Sequence, residues 1–293
     1  MNDFPAGSVW LVGAGPGDPE LLTRKAERLI GQASVIFHDA LVGPGVLDLA
    51  APGARLVYVG KRSGRHSKDQ ATIDRLIVAA ALAGERVARL KGGDPSIFGR
   101  ATEELDACRA ACVPVQICPG VTAASAAAAS MGVSLTRRGI ARKLIFVTAH
   151  ARAGDPLDLD WSSLADSDAT LAVYMGKAAA GELSRNLIAA GLPAETPVAL
   201  VESASLPTSR QFRTRLDLLP IAAEAALGLG PSILLIGRAV ALSGETEGER
   251  SGRRSDYLTM SSVGSPARSS AMRCAGGGCS PAVCCELVAP LTA

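Results

Sequence analysis

Short apolar runs of strand length alternate with helical segments through most of this chain, and this alternation restricts the fold more than any other feature. It favours sheets of mainly parallel strands with helices covering their faces. Because the pattern restarts near residue 139, we expect two α/β lobes, residues 1–138 and 139–244, with a cleft between them. The predicted strands are 9–12, 34–38, 55–59, 86–90, 115–118, 144–148, 170–174, 198–201 and 232–236, with an antiparallel edge strand at 211–214, and the predicted helices are 20–31, 45–49, 67–83, 100–111, 123–130, 178–190 and 216–226.

Two glycine-rich loops follow predicted strands in the first lobe. Gly-Ala-Gly-Pro-Gly-Asp-Pro occupies residues 13–19, and Lys-Gly-Gly-Asp-Pro occupies residues 91–95. Adjacent glycines let a backbone approach a ligand closely, because they lack a Cβ and tolerate positive φ. Small polar ligands bind at the edge formed by the carboxyl ends of parallel strands. We therefore expect both loops to belong to a ligand site, although either one alone also fits an ordinary strand-to-helix turn.

The first loop resembles the Gly-x-Gly-x-x-Gly pattern of dinucleotide-binding proteins, and Asp39 follows at about the spacing of the ribose-binding acid. Two residues argue against that function. Asp18 stands where the third glycine would be, and its carboxylate would repel a phosphate. Pro16 lacks a backbone N–H that a pyrophosphate would need. An NAD-dependent oxidoreductase is kept as an alternative function.

The composition argues against several other classes of function. A net charge of +2 and 3% aromatic residues provide neither a basic surface nor stacking platforms for nucleic acid. The longest uncharged span, residues 110–136, is interrupted by two prolines and is too weakly apolar to cross a bilayer. Since no secretory signal precedes the first predicted strand, we expect a cytoplasmic protein without a membrane partner.

The cysteines and the C-terminal tail give no metal-binding pattern. Cys108, Cys112 and Cys118 have no matching His or Cys cluster, so we interpret them as free thiols. Residues 245–293 are rich in Ser, Gly and charged residues without periodicity, and we predict that this tail is disordered. The alternative is a cysteine-mediated site in the tail, although its C-x4-C-x4-C-C spacing matches no familiar zinc motif.

Several motifs together resemble uroporphyrinogen-III C-methyltransferases, within the tetrapyrrole methylase family. Besides the two glycine loops, they are Asp-Ala-Leu-Val at 39–42, Val-Tyr-Val-Gly-Lys-Arg at 57–62, Pro-Gly-Val-Thr-Ala at 119–123, Val-Tyr-Met-Gly at 173–176, Pro-Val-Ala-Leu-Val-Glu at 197–202 and Gly-Pro-Ser at 230–232. The resemblance implies the two-lobed tetrapyrrole methylase fold, with both reactants bound in the cleft between the lobes.

S-adenosylmethionine (SAM) is the methyl donor that the resemblance implies, with S-adenosylhomocysteine as its product and no metal. The residue types suit SAM: it carries no phosphate, so Pro16 is tolerated, and Asp94 can bind its ammonium or ribose hydroxyls. Ile97 and Met175 offer apolar walls for the adenine. Carried over residue by residue, the SAM contacts are Pro16, Gly92, Gly93, Asp94, Ile97, Thr122, Ala123, Met175 and Ala204.

The implied substrate is uroporphyrinogen III, methylated twice to precorrin-2 by way of precorrin-1, for sirohaem or cobalamin biosynthesis. By the same resemblance Asp39 is the proton acceptor and Lys61 the proton donor. From the residues alone, Asp39 would be a turn residue and Lys61 a solvated loop lysine. The substrate is a polycarboxylate that requires cations, and the candidates are Lys61, Arg62, Arg65, Arg137, Arg138 and Arg142.

A homodimer is also implied by the resemblance. Because no dehydrogenase and ferrochelatase module precedes the first predicted strand, we expect a stand-alone methyltransferase. Alternatives with the same fold are methyltransferases that act on precorrin-2 or precorrin-4, and diphthine synthase, which requires a protein partner. Alternatives from other classes are the NAD-dependent oxidoreductase and a nucleotide-binding regulatory module.

Overall fold

The computed structural model describes residues 4–60, 69–150 and 157–241, and its first sheet consists of five parallel strands. Along the sheet the strands lie in the order β3-β2-β4-β1-β5. The sequence predicted the parallel direction of these strands but not their order. The elements are β1 (Ser8–Gly13), α1 (Arg24–Gln32), β2 (Val35–His38), α2 (Pro44–Leu47), β3 (Arg55–Tyr58), α3 (Gln70–Leu82), β4 (Arg86–Lys91), α4 (Ala101–Ala110) and β5 (Val115–Cys118).

Both faces of this sheet are buried, because successive side chains of a strand point to opposite sides. From β1, Trp10 and Val12 pack on one face with α1, whereas Val9 and Leu11 pack on the other with α3 and α4. The chain therefore leaves β1 and its neighbour β4 toward opposite faces. This switch point is where open α/β sheets bind ligands at the carboxyl ends of their strands.

The second sheet has the order β6-β7-β10-β8-β9 and is mixed, so the prediction of mainly parallel strands is wrong here. β6 and β7 are parallel, but β10 runs antiparallel to both β7 and β8, and β8 runs antiparallel to β9. The antiparallel edge strand was correctly predicted. The elements are α5 (Ala123–Met131), β6 (Lys143–Thr148), α6 (Trp161–Leu164), β7 (Ala169–Tyr174), α7 (Ala180–Ala189), β8 (Pro197–Glu202), β9 (Arg210–Arg215), α8 (Leu219–Ala226) and β10 (Ser232–Ile236).

Helix α5 follows the last strand of the first sheet but packs on the second sheet. Its alanines at 124, 126, 127 and 128 are buried with Ala172, Ala199 and Leu235 from the centre of that sheet. The small side chains of the helix, with Ala172 and Ala199 on the sheet, allow the helix to lie close to the strands. The opposite face of the second sheet is covered by α6, α7 and α8.

Two helices begin later in the chain than predicted, because a side chain caps the first turn of each. α1 begins at Arg24 rather than residue 20, because the hydroxyl of Thr23 accepts a hydrogen bond from the Ala26 N–H and caps the helix. The residues before it, Pro19–Leu21, form a separate 3₁₀ turn. Asp69 caps α3 in the same way, so this helix begins at Gln70 rather than residue 67.

Two sets of sequence predictions lie outside the described residues. They concern the tail from residue 245 onward and the cations Lys61, Arg62 and Arg65. Within the three described ranges, no helix combines the length and apolar character that crossing a membrane requires.

Candidate active site

The two glycine loops meet at the switch point of the first sheet. Gly15 and Gly93 form an isolated antiparallel bridge, in which the Gly93 N–H donates to the Gly15 carbonyl at 2.6 Å and the Gly15 N–H donates to the Gly93 carbonyl at 3.2 Å. Gly93 has a φ of +71°, in the left-handed region that favours glycine. The two loops, which the sequence predicted to belong to a ligand site, are therefore in direct contact.

A third loop, residues 119–120, closes against the other two. A Cβ added at Gly120 would lie 2.3 Å from the Gly93 carbonyl oxygen, and one added at Gly13 would lie 2.5 Å from the Gly120 nitrogen. Only glycine fits at both positions. Asp94 fastens the contact, since one oxygen accepts from the Gly120 N–H at 2.9 Å and the other accepts from the N–H and hydroxyl of Ser96. The Asp94 carboxylate, expected to face a ligand, thus also organises the loops.

Asp39 follows β2 and lies beside the second glycine loop. Its Oδ1 accepts from the Leu41 N–H at 3.0 Å, and its Oδ2 lies 3.0 Å from Nη2 of Arg89. A Cβ added at Gly92 would lie 2.7 Å from the Leu41 Cβ, so the segment after Asp39 packs directly on that glycine. The carboxylate is 23% exposed and is accessible to a reactant.

A group of buried charges lies behind Asp39, and sequence reasoning missed it. Arg89 and Lys91, two residues apart on β4, point to the same face of the sheet and are almost completely buried. Glu104 of α4 binds both, with Oε1 at 3.0 Å from Arg89 Nε and Oε2 at 2.7 Å from Lys91 Nζ. Burial and the charge of Arg89 lower the pKa of the Lys91 ammonium from its usual value. The available signal was the pair of cations in an otherwise apolar strand.

Tyr174, at the end of β7, connects the second sheet to the start of α5. Its hydroxyl is hydrogen-bonded to the Thr122 hydroxyl, and its ring centre lies 5.1 Å from that of Phe98, beyond the second glycine loop. Burial raises the pKa of the Tyr174 phenol. Met175 follows Tyr174 directly in the chain. The sequence motif contained Tyr174 but assigned it no role.

A second connection joins the first glycine loop to the loop after β8. The Asp18 N–H donates to the Ser205 hydroxyl at 3.1 Å, and a Cβ added at Gly17 would lie 2.7 Å from Cδ2 of Leu206. Pro16 and Ala204 are the immediate neighbours of these contacts. The Asp18 side chain caps the 3₁₀ turn by accepting from the Glu20 N–H at 2.9 Å. A carboxylate at this helix start disfavours pyrophosphate, as the sequence argument against a dinucleotide site requires.

Several residues of these loops have positive φ although they are not glycine. This backbone conformation is costly and is concentrated at functional sites in proteins. Two of the residues are exposed apolar side chains, Phe98 at 41% and Met175 at 48% exposure. The residues with positive φ near the loops are Phe98, Arg100, Met175, Ser203 and Ser205.

The remaining site predictions are placed as follows. The Ile97 N–H donates to the Asp94 carbonyl at 3.2 Å, which keeps Ile97 at the second glycine loop. Of the candidate substrate cations, Arg137 forms a backbone bridge with Ala141, whereas Arg138 and Arg142 are exposed. Lys61 lies outside the described residues. Gly60 precedes it, and a Cβ added there would lie 3.1 Å from the Ala40 nitrogen, next to Asp39.

The described residues contain no group of three or more His, Cys, Asp or Glu side chains arranged to hold a metal ion. Cys108 and Cys118 are buried free thiols and Cys112 is an exposed one.

Several known proteins are similar to this chain in sequence and in fold. The model of the tetrapyrrole (corrin/porphyrin) methylases matches residues 8–220. The chloroplastic S-adenosyl-L-methionine-dependent uroporphyrinogen III methyltransferase of Arabidopsis thaliana is 45% identical over 244 residues, which cover 83% of this chain and 66% of that protein. Siroheme synthase of Gluconobacter oxydans is 45% identical over 235 residues, which cover 80% of this chain and 50% of that protein. The chain thus spans about half the length of such synthases.

A solved structure of a uroporphyrin-III C-methyl transferase has a similar fold. Uroporphyrin-III C-methyl transferase from Thermus thermophilus, in complex with S-adenyl homocysteine, superposes with a TM-score of 0.68 at 39% identity. The match covers 80% of this chain and 98% of that one. With a family match over more than half of its length, relatives at 45% identity and this shared fold, the chain belongs to the tetrapyrrole methylase family.

Proposed function

We propose that this protein is a SAM-dependent C-methyltransferase that converts uroporphyrinogen III to precorrin-2 by way of precorrin-1, in sirohaem or cobalamin biosynthesis. The observation that carries the proposal is the convergence of the loops after β1 and β4 with the start of α5 and the end of β7, at the switch point of the first sheet. Relatives named for uroporphyrinogen III methylation share 39–45% identity over most of the described residues. We further propose a cytoplasmic homodimer with lobes divided near residue 138.

The proposed SAM contacts belong to loops that are joined by hydrogen bonds, between Gly15 and Gly93, between Asp94 and Gly120, and between Asp18 and Ser205. These loops offer backbone amides that suit a polar amino-acid moiety, and the exposed side chain of Met175 suits an apolar ring. Thr122 caps α5 without a side-chain hydrogen bond to the first turn of the helix. A ligand carboxylate would be stabilised at that helix start. The contacts are Pro16, Gly92, Gly93, Asp94, Ile97, Thr122, Ala123, Met175 and Ala204.

The reaction forms a bond between the SAM methyl carbon and a carbon of a pyrrole ring. The bond from sulfur to that methyl breaks, its electron pair stays on sulfur, and the methylated tetrapyrrole must then lose a proton. Asp39 is proposed as the proton acceptor because its carboxylate is held in place by Arg89 and is still accessible. Lys61 is proposed as the proton donor on the basis of the sequence motif. Alignment of the two reactants for in-line displacement is the main contribution expected of the protein.

Anaerobic incubation of the protein with uroporphyrinogen III and methyl-labelled SAM tests this function. We expect the tetrapyrrole to gain two labelled methyl groups, with a singly methylated species appearing first. Parallel incubations with precorrin-2 should show no further transfer; transfer to precorrin-2 but not to uroporphyrinogen III would instead identify a later methyltransferase. Binding of S-adenosylhomocysteine without transfer to any tetrapyrrole would overturn the proposal.

A further inference from the structure

The buried charges behind Asp39 are balanced only as a set of four. Glu104 is 1% exposed, and Arg89 and Lys91 are 5% and 4% exposed. Glu104 alone cannot neutralise two cations, and an uncompensated charge in a protein interior is strongly unfavourable. Asp39 provides the second negative charge through its contact with Arg89 Nη2. We call these residues, Asp39, Arg89, Lys91 and Glu104, the buried charge cluster.

Glu104 determines the direction in which the Arg89 guanidinium points. The planar group is held at Nε by Glu104 at 3.0 Å and at Nη1 by the Leu90 carbonyl at 2.6 Å. Because the guanidinium is rigid, fixing these two nitrogens also fixes Nη2, the nitrogen that contacts Asp39. The carboxylate of Asp39 then has one oxygen on Arg89 and the other on the Leu41 N–H, so its orientation is fully set.

Glu104 also holds the strand end from which the second glycine loop begins. Its other oxygen binds Lys91, and the Lys91 carbonyl accepts from the Ala14 N–H of the first glycine loop at 2.8 Å. Gly99 leaves room for this arrangement, since a Cβ there would lie 3.1 Å from Cε of Lys91. One carboxylate on α4 is therefore linked both to Asp39 and to the junction of the glycine loops.

We propose that Glu104 is a positioning residue for methyl transfer, which acts through Arg89 to orient the Asp39 carboxylate while touching neither reactant. The inference rests on the proposed function, in which Asp39 accepts the proton. Gln70 lies 3.5 Å from Oε1 of Glu104 and carries no charge that would substitute for the carboxylate. Asp74 is also near, since it accepts from Gln70 at 2.9 Å and its pKa is raised by burial and by the charge of Glu104, but its bond is to Gln70 rather than to Arg89.

A double-mutant cycle between Glu104→Gln and Asp39→Asn tests this role, with single-turnover methyl transfer and S-adenosylhomocysteine affinity as readouts. We expect Glu104→Gln to slow transfer at least tenfold in the wild-type background but less than twofold in the Asp39→Asn background, with affinity changed less than threefold. Glu103→Gln is the matched control, because Glu103 is the preceding residue of α4 but pairs at the surface with Arg100. It should leave all readouts unchanged.

If Glu104→Gln fails to fold, Glu104→Asp replaces it in the same cycle. Aspartate keeps the charge but its carboxylate cannot reach as far, so Arg89 should shift and transfer should again slow only when Asp39 is present. Equal slowing in both backgrounds, or no slowing, would overturn the role of Glu104 alone. A wild-type protein that binds S-adenosylhomocysteine but methylates no tetrapyrrole would overturn the proposed function and this inference with it.

Discussion

Nη2 of Arg89 lies 3.0 Å from Oδ2 of Asp39, and this contact joins an accessible carboxylate to a buried cation. The Arg89 side chain is 6% exposed and the Asp39 side chain is 23% exposed. Low exposure strengthens the attraction, because little water remains to screen it. Asp39 is thus held in a fixed orientation at the edge of the site.

Replacing Asp39 with Asn should slow methyl transfer far more than it weakens cofactor binding. Asparagine can still accept the Leu41 N–H but cannot take a proton, and loss of a general base costs about 10²–10⁴-fold in rate. Single-turnover transfer and calorimetric titration with S-adenosylhomocysteine on the same variant separate the two effects. Asp160→Asn, which alters a helix cap in the second lobe, is the control. Near-normal turnover would remove Asp39 from the mechanism.

Gly93→Val should abolish or greatly weaken binding of S-adenosylhomocysteine. A Cβ at this position would lie 3.8 Å from the Ala123 nitrogen, so the branched side chain would project toward the start of α5, among the proposed SAM contacts. Its φ of +71° also disfavours any side chain, by about 1–2 kcal/mol.

The control for Gly93→Val is Gly84→Val. Gly84 has a similar φ of +86°, and a Cβ there would have no neighbour within 4 Å. Both variants should lose comparable thermal stability, but only Gly93→Val should lose affinity in calorimetric titration. Equal affinities for the two would show that the second glycine loop does not contact the cofactor.

Tyr174→Phe should weaken S-adenosylhomocysteine binding by no more than about fivefold, because the Thr122 hydroxyl loses the partner that holds it and the lost bond contributes about 1 kcal/mol in all. The rings of Phe98 and Phe146 would still pack on the remaining phenyl group, so the melting temperature should fall by only about 2–4 °C. The raised pKa of the phenol keeps it a hydrogen-bond donor at neutral pH. Calorimetric titration and thermal unfolding at pH 7 measure the affinity and the stability, and unchanged affinity in the variant would contradict the role of Tyr174.

Alkylation should distinguish the three cysteines of the described lobes. Burial raises the pKa of Cys108 to about 11 from its usual 9.0 and also raises that of Cys118, whereas Cys112 is exposed. A raised thiol pKa means that stability is fully present below pH 9.0 and is lost as the pH rises toward 11. With iodoacetamide at pH 8, peptide mass mapping should find Cys112 modified first, and Cys108 and Cys118 only in denaturant. Rapid native labelling of Cys108 would contradict its burial.

The sequence predicted the strands of the fold well because each is a short apolar run bounded by glycine or polar residues. It did not predict the direction of β10, which pairs antiparallel with β7 and β8. Strand direction within a sheet depends on contacts between distant segments, which local patterns do not contain. Likewise α6 has only four residues and depends on the Asp160 cap and the burial of Leu164 rather than on periodicity.

The glycine loops of the candidate site could be predicted because glycine is required where backbones meet, and the spacing of such glycines is visible in the sequence. The buried charge cluster could not be predicted in the same way. Glu104 lies on a helix with charged neighbours on both sides, Glu103 and Asp106 among them, and the pattern does not show which carboxylate faces inward. Two cations, Arg89 and Lys91, on an apolar strand require an acidic partner in the interior, but the sequence does not show which residue provides it.

The packing of α5 on the second sheet limits where this chain can be divided into separate polypeptides. A cut between residues 138 and 139 would leave α5 on one fragment. The apolar sheet surface on which it packs, which includes Ala172, Ala199 and Leu235, would be on the other. Each fragment would present a water-exposed apolar face, a cause of self-association. Complementing fragments should therefore be divided before residue 123, so that the alanine-rich helix remains with the sheet that it covers.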